Sequence, residues 1–311
     1  MTRNKLAEIA AVRGRGQSDT WRGKYAVTEL HQRVEDGLTY PASFVIIRLV
    51  TAIEVFTRDW VKALVDSGDP YVGRAADLLK GTLKIDFAVA RSLVGKQVTF
   101  GDLVAHEIAV NGVGDLDRVF SHLLEDPAFE RAATAVDRWR VEVLKEPVMP
   151  FMPDPRQTKA CLDRLFTTRH IHVHELPDEA HIEPETLAEY VAAAVAYCEA
   201  FDEMLSTELY GAYPLTQLEM NARAGDKANE AADQLKDVLL RLDPDGANAN
   251  LKASQVAWEA YRDRQAEFRS NINSPTRGSI APLIHASELE KITRARIEEL
   301  DWYLTRKDGE M

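Results

Sequence analysis

Cysteine is scarce in this chain: Cys161 and Cys198 are its two thiols among 311 residues. Two sulfurs cannot build a disulfide framework, and Cys198 falls on an apolar helical stripe, so a reducing, cytoplasmic setting is expected. Positive charge is also short, with 38 Lys and Arg against 50 Asp and Glu and a formal net charge of -12. A protein that coats nucleic acid through its overall field needs clustered basic residues. That class is excluded, and any RNA contact must be local. No apolar run reaches the length of a membrane span, and the first residues lack the apolar core of a signal peptide, so no membrane partner is expected. Almost nothing alternates with the period of a strand, apart from residues 170–174. An all-α fold follows.

The length predicts two domains. Residues 1–38 read as a basic arm, with Arg3, Lys5, Arg13, Arg15, Arg22 and Lys24 near the start. Such a terminus is either solvated and mobile or a tail that steers RNA. From Pro41 to about Asp66 the spacing of Phe44, Ile47, Val50, Val55 and Leu64 predicts a long helix with proline in its first turn. Glu54 lies inside that helix between Ile53 and Val55, where burial would demand a partner. Further helices are expected near 70–80, 83–94, 101–125 and 127–146, followed by a loop containing Pro147, Pro150, Pro153 and Pro155. Asp154 and Pro155 supply a cap and a first position for the next helix. Over 184–208, Leu187, Val191, Ala194, Cys198, Phe201 and Leu205 form a one-sided stripe. Composition then changes after Gly211-Ala212-Tyr213-Pro214, which places a boundary there. Helices near 215–241, 248–270 and 286–307 complete the chain, separated by turn residues at Asp243-Pro244-Asp245-Gly246 and around Pro275.

Three of the eight histidines alternate in Thr168-Arg169-His170-Ile171-His172-Val173-His174-Glu175. Imidazole changes charge near neutral pH, and guanidinium is a permanent cation whose fork suits phosphate oxygens. Such a set can serve acid–base work on a phosphodiester. In a helix His170 and His174 would stack, while Arg169 and His174 would stand about 140° apart. In a strand the three histidines would point one way, as in some zinc sites, but the flanks are helical and leave a strand nothing to pair with. The cluster could also be purely structural.

The order of a long apolar helix carrying Glu54, several helices, Leu-Phe-Thr-Thr-Arg-His-Ile-His-Val-His-Glu and a last amphipathic helix resembles the HEPN superfamily of helical ribonucleases, over residues 39–210. Their signature is an arginine followed four to six residues later by histidine, often with a polar residue directly after the arginine. Arg169, His170 and His174 fill those positions. The resemblance implies a metal-independent endoribonuclease without cofactor, acting on an RNA substrate in a cleft shared by a homodimer. It also implies a setting such as phage defence, stress response or a toxin–antitoxin pair. His174 would then move a proton, Arg169 would hold the non-bridging oxygens, His170 would orient or bind, and Glu54 would support them. Cleavage would leave 2′,3′-cyclic phosphate ends and proceed in a chelator.

Residues 211–311 carry Gln217-Leu218-Glu219-Met220-Asn221-Ala222-Arg223, Trp258-Glu259-Ala260-Tyr261-Arg262-Asp263, Gly278-Ser279 and Thr293-Arg294-Ala295-Arg296. This succession resembles the LprI-like domain of lysozyme-inhibitor lipoproteins and related secreted modules. That family places cysteines where this chain has Arg223, Ala266 and Ser287, so helix packing must replace disulfides and inhibition of lysozyme is not carried over. Trp258, Tyr261 and Arg262 are residue types that anchor interfaces. The plainer expectation packs Trp258 among the three helices and pairs Arg262 with an acid such as Asp233. Beside the nuclease stands a second class of function: a non-catalytic binding protein in which the histidine cluster serves dimer packing and the C-terminal module supplies the function by recognising a partner. A protein partner or inhibitor of the chain is expected in either class.

Overall fold

A computed structural model describes residues 20–37, 41–79, 87–94, 98–175 and 182–305. Every regular element among them is helical, and the chain divides into two compact units, Met1–Ala212 and Tyr213–Met311. The first contains α1 (Trp21–Glu35), α2 (Ala42–Asp66), α3 (Tyr71–Leu79), α4 (Phe87–Val94), α5 (Phe100–Glu107), α6 (Val113–Leu124), α7 (Ala128–Ala132), α8 (Pro155–His174) and α9 (Pro184–Tyr210). The second contains α10 (Gln217–Leu242), α11 (Ala249–Ser270) and α12 (Ala281–Thr305).

In the first unit α2 and α9 form the centre, and α1 and α8 each pack on both. The α9 stripe is buried from Val191 through Ala194, Cys198 and Phe201 to Leu205, and Tyr190, Tyr197 and Met204 bury a second side. Aromatic rings from several helices meet there: Phe201 lies 5.0 Å from Phe129, 4.5 Å from Tyr197 and 5.4 Å from Phe120, centre to centre. Such rings combine large buried area with specific pairing geometry.

Several sequence expectations need correction. From Trp21 onward the expected arm is part of the bundle: Val27 and Leu30 are buried. Arg22 grips buried Asp59 through Nη2–Oδ1 at 2.5 Å and Nε–Oδ2 at 3.3 Å. Lys24 reaches Glu199 at 2.7 Å and Asp202 at 2.8 Å. These two cations are consumed by internal acids and cannot steer RNA; residues 1–19, with the other basic positions, lie outside the described residues. Gly23 lets α1 approach α2, since a Cβ there would sit 2.6 Å from the Ala52 carbonyl oxygen and against Phe56. On α2 the buried face is Val45, Ile46, Leu49, Ile53, Phe56 and Trp60, whereas Phe44 and Ile47 are exposed. Val50 and Leu64 of the expected stripe are buried and Val55 is half-buried, whereas Phe44 and Ile47 fall outside because α2 carries apolar residues on more than one face and periodicity alone cannot choose among them. The expected helices at 101–125 and 127–146 are each broken. The first stops at Glu107, where Ile108 turns extended, and resumes at Val113 with Gly112 as its cap, and the second contains only α7 and a π-helical turn, where Leu144 N–H donates to Trp139 O at 3.1 Å.

In the second unit α12 lies against both α10 and α11. Leu235 and Val238 of α10 and Leu300 of α12 are buried together, with Trp258 of α11 packed on them. A capping box starts α10, where Thr216 Oγ1 accepts from Glu219 N–H at 3.2 Å and the Glu219 carboxylate accepts from Thr216 N–H at 3.1 Å. Asn248 caps α11 by accepting from Leu251 N–H at 3.0 Å. These reciprocal bonds satisfy donors that a helix start leaves free.

Candidate functional site

The Arg169–His174 stretch is the last part of α8. Asp154 caps that helix by accepting from Gln157 N–H at 3.0 Å, Pro155 occupies its first turn, and the helix runs unbroken to His174. Cys161, Leu162, Leu165 and Phe166 anchor its buried face. Beyond them the side chains turn outward: His170 and His174 are exposed, Arg169 and His172 half-buried. Helical geometry brings the His170 and His174 rings to 4.7 Å, centre to centre, and carries His172 about 200° around the axis. The three imidazoles therefore cannot converge on one ion as they would from a strand.

Arg169 leans to the protein side, and its Nε is buried with no hydrogen-bond partner. Next to it Thr168 Oγ1 lies 3.1 Å from Tyr190 Oη of α9. Glu54, expected to support the motif, is half-buried and pairs with Arg58 of its own helix at 3.8 Å. Arg169, His170 and His174 thus share one helix end, and Glu54 is bound elsewhere. A cavity of about 660 Å³ does occur along α8, lined by Asp117, Phe129, Asp154, Arg156 and Lys159. It opens at the first turn of the helix, roughly 20 Å from the histidines at 1.5 Å per residue. Its lysine is bound to Asp117 at 2.6 Å.

In the second unit, Trp258 and Arg262 of α11 turn inward. The guanidinium of Arg262 lies 5.2 Å from the Trp258 ring centre and that of Arg296 6.0 Å, so the indole is flanked by two cations. Arg296 is buried, donates to Ser254 Oγ at 3.0 Å and to Glu299 at 2.8 Å, and leaves its Nε unpaired. Arg262 pairs with adjacent Asp263 at 2.7 Å rather than with Asp233, whose partner is Lys236. Tyr261 faces solvent at 57% exposure. It shares the exposed side of α11 with Val256 at 67% and Phe268 at 79%, two residues that sequence reasoning passed over. Val256 lies about 160° around the helix from Trp258 and Phe268 about 80°, so their signal was present as apolar positions off the Trp258 face. Of the positions where the resemblance to LprI implies cysteines, Ala266 is buried, while Arg223 and Ser287 are exposed.

Residues 212–300 match the family model for lysozyme inhibitor LprI, which makes this segment an LprI domain. No curated protein and no solved structure matches the chain. Among the described residues no helix is long and apolar enough to cross a membrane.

Proposed function

We propose that this chain is a non-catalytic interaction protein whose C-terminal three-helix unit recognises a protein partner. One observation carries the proposal: the LprI domain, a kind of module described as a protein inhibitor of a protein, leaves Val256, Tyr261 and Phe268 of α11 in solvent. Interfaces concentrate their binding energy in a few such aromatic anchors. Lysozyme is the first probe rather than the assigned partner, because the cysteine positions of the family are filled by other residues here. Saturable binding of immobilised lysozyme by the full chain, weakened about ten-fold in Tyr261→Ala, would make lysozyme a partner, and under this reading the chain leaves RNA intact.

The second reading is a metal-independent endoribonuclease of HEPN type, working as a homodimer. It is favoured by the unpartnered Nε of Arg169 beside the stacked His170 and His174. Against it stands the field at that place: a helix C-terminus presents carbonyl oxygens with negative partial charge, which repel a phosphodiester. RNA cleavage in EDTA that disappears in both Arg169→Ala and His174→Ala, with folding retained, would replace the binding reading by the catalytic one.

A further inference from the structure

Helix α11 has two unlike sides. Toward α12 it turns Leu251, Gln255, Trp258, Arg262, Gln265, Ala266 and Ser270, a half-polar set. Away from it, within an arc of about 140°, lie Ala253, Val256, Ala257, Ala260, Tyr261 and Phe268, with Asn250, Arg264 and Glu267 among them, all exposed. The outer side is the more apolar one, the reverse of an ordinary surface helix, whose polar side faces water. A largely apolar strip of this kind, crossed by Arg264, fits a surface that is covered in the working molecule.

The strip itself indicates what covers it. About a midpoint between Ala260 and Tyr261, an antiparallel copy of α11 sets small against large at each level: Ala253 opposite Phe268, Ala257 opposite Arg264, Ala260 opposite Tyr261. Facing positions that alternate in size interdigitate. At the rim, Lys252 and Glu267 lie on the same edge of the strip. Both are exposed, and among the described residues neither forms an ion pair within the chain. Two-fold symmetry would bring each within reach of the other on the partner, twice per pair, as a self-complementary interface requires.

We infer that the outer side of α11 binds the same side of a second copy of this chain, antiparallel, burying Val256, Tyr261 and Phe268 and pairing Lys252 of each copy with Glu267 of the other. This rests on the binding reading in that the same face is used, and it names the partner. The test is sedimentation velocity of the full chain over about a hundred-fold concentration range, since mass action makes a weak dimer concentration-dependent. A monomer–dimer equilibrium is expected, abolished by Phe268→Asp and by Val256→Asp, two exposed positions where circular dichroism should report an unchanged fold. Lys252→Glu and Glu267→Lys are each expected to weaken the dimer about five-fold, and an equimolar mixture of the two variants to restore it. A chain that stays monomeric throughout, a dimer indifferent to both aspartates, or charge variants that fail to rescue each other overturns the inference. The lysozyme titration is separate: loss of lysozyme binding in Phe268→Asp by a monomeric chain would keep the binding reading and remove the second copy from it.

Discussion

The two units bury their helices by different means. The first packs Phe56, Phe120 and Phe129 against Tyr197 and Phe201 of α9, side chains that are almost wholly inaccessible. In the second, the buried set is Ala224, Ala231, Leu235, Val238, Ala266, Ser270, Ala281, Thr293, Arg296 and Leu300. Small and polar residues there leave larger apolar ones, Leu218, Leu240, Val256, Tyr261 and Phe268, outside. Interlocked rings hold the first unit from within, although it too exposes Trp21, Tyr25, Phe87, Trp139 and Met149, whereas the buried set of the second contains no aromatic ring among the described residues. Exposed apolar area costs solubility unless something covers it, which ties the poorer interior of the second unit to interaction.

The sharpest way to break this contrast is Phe201→Ala, which opens a cavity among three ring contacts. Losses of about 3–5 kcal/mol are expected, and chemical denaturation should show the first unit's transition moving while that of the second stays in place. Leu235→Ala removes a large side chain from the smaller core. A loss of about 2 kcal/mol is expected, confined to the second unit's transition. Gly23→Ala forces a methyl against the Ala52 carbonyl and Phe56, and should cost about 1–3 kcal/mol in the first unit.

Acid and base should also separate the units. Burial acts to raise the Glu208 carboxyl, yet hydrogen bonds from Tyr71 at 2.6 Å and Arg131 at 2.5 Å outweigh it and hold the pKa below its usual 4.5. A depressed carboxyl contributes stability that is complete above its unfolded value and disappears as pH falls through the folded one. Burial, then the bond to Glu208, pushes Tyr71 up to about 12. Its contribution is complete below about pH 10 and disappears as pH rises toward the higher value. Thermal melts across pH should therefore show the first unit losing stability at both extremes, and Glu208→Gln should flatten both arms. The smallest effect is expected from Arg296→Met: exchanging a buried guanidinium with an unpaired Nε for an apolar chain is neutral or slightly stabilising, read as an unchanged or higher melting temperature of the second unit.

Helix existence was legible because its signals are local. Asp154 with Pro155 announces the start of α8, and the regular steps from Leu187 to Leu205 announce α9. The break over 108–112 carried a signal in Asn111-Gly112 that was passed over because apolar residues stand on both sides of it, and the π-helical turn at Trp139 was not legible. The site was legible as residue types, less so as an arrangement. Arg169, His170 and His174 do share a helix end, as the spacing requires, but Glu54 is tied to Arg58, and Trp258 and Arg262 turn inward while Tyr261 turns out.

Taken alone, the order of residues determined an all-helical chain, the positions of most helices and the LprI character of its last third, because caps, periodicity and breakers act within a few residues of where they stand. Only the tertiary structure decided which side of each helix is covered. Helix α2 carries apolar residues on both its buried and its exposed side, and α11 carries a largely apolar strip on its outer side, so the neighbours that reach them, not composition alone, set what is buried and what is left to meet a partner.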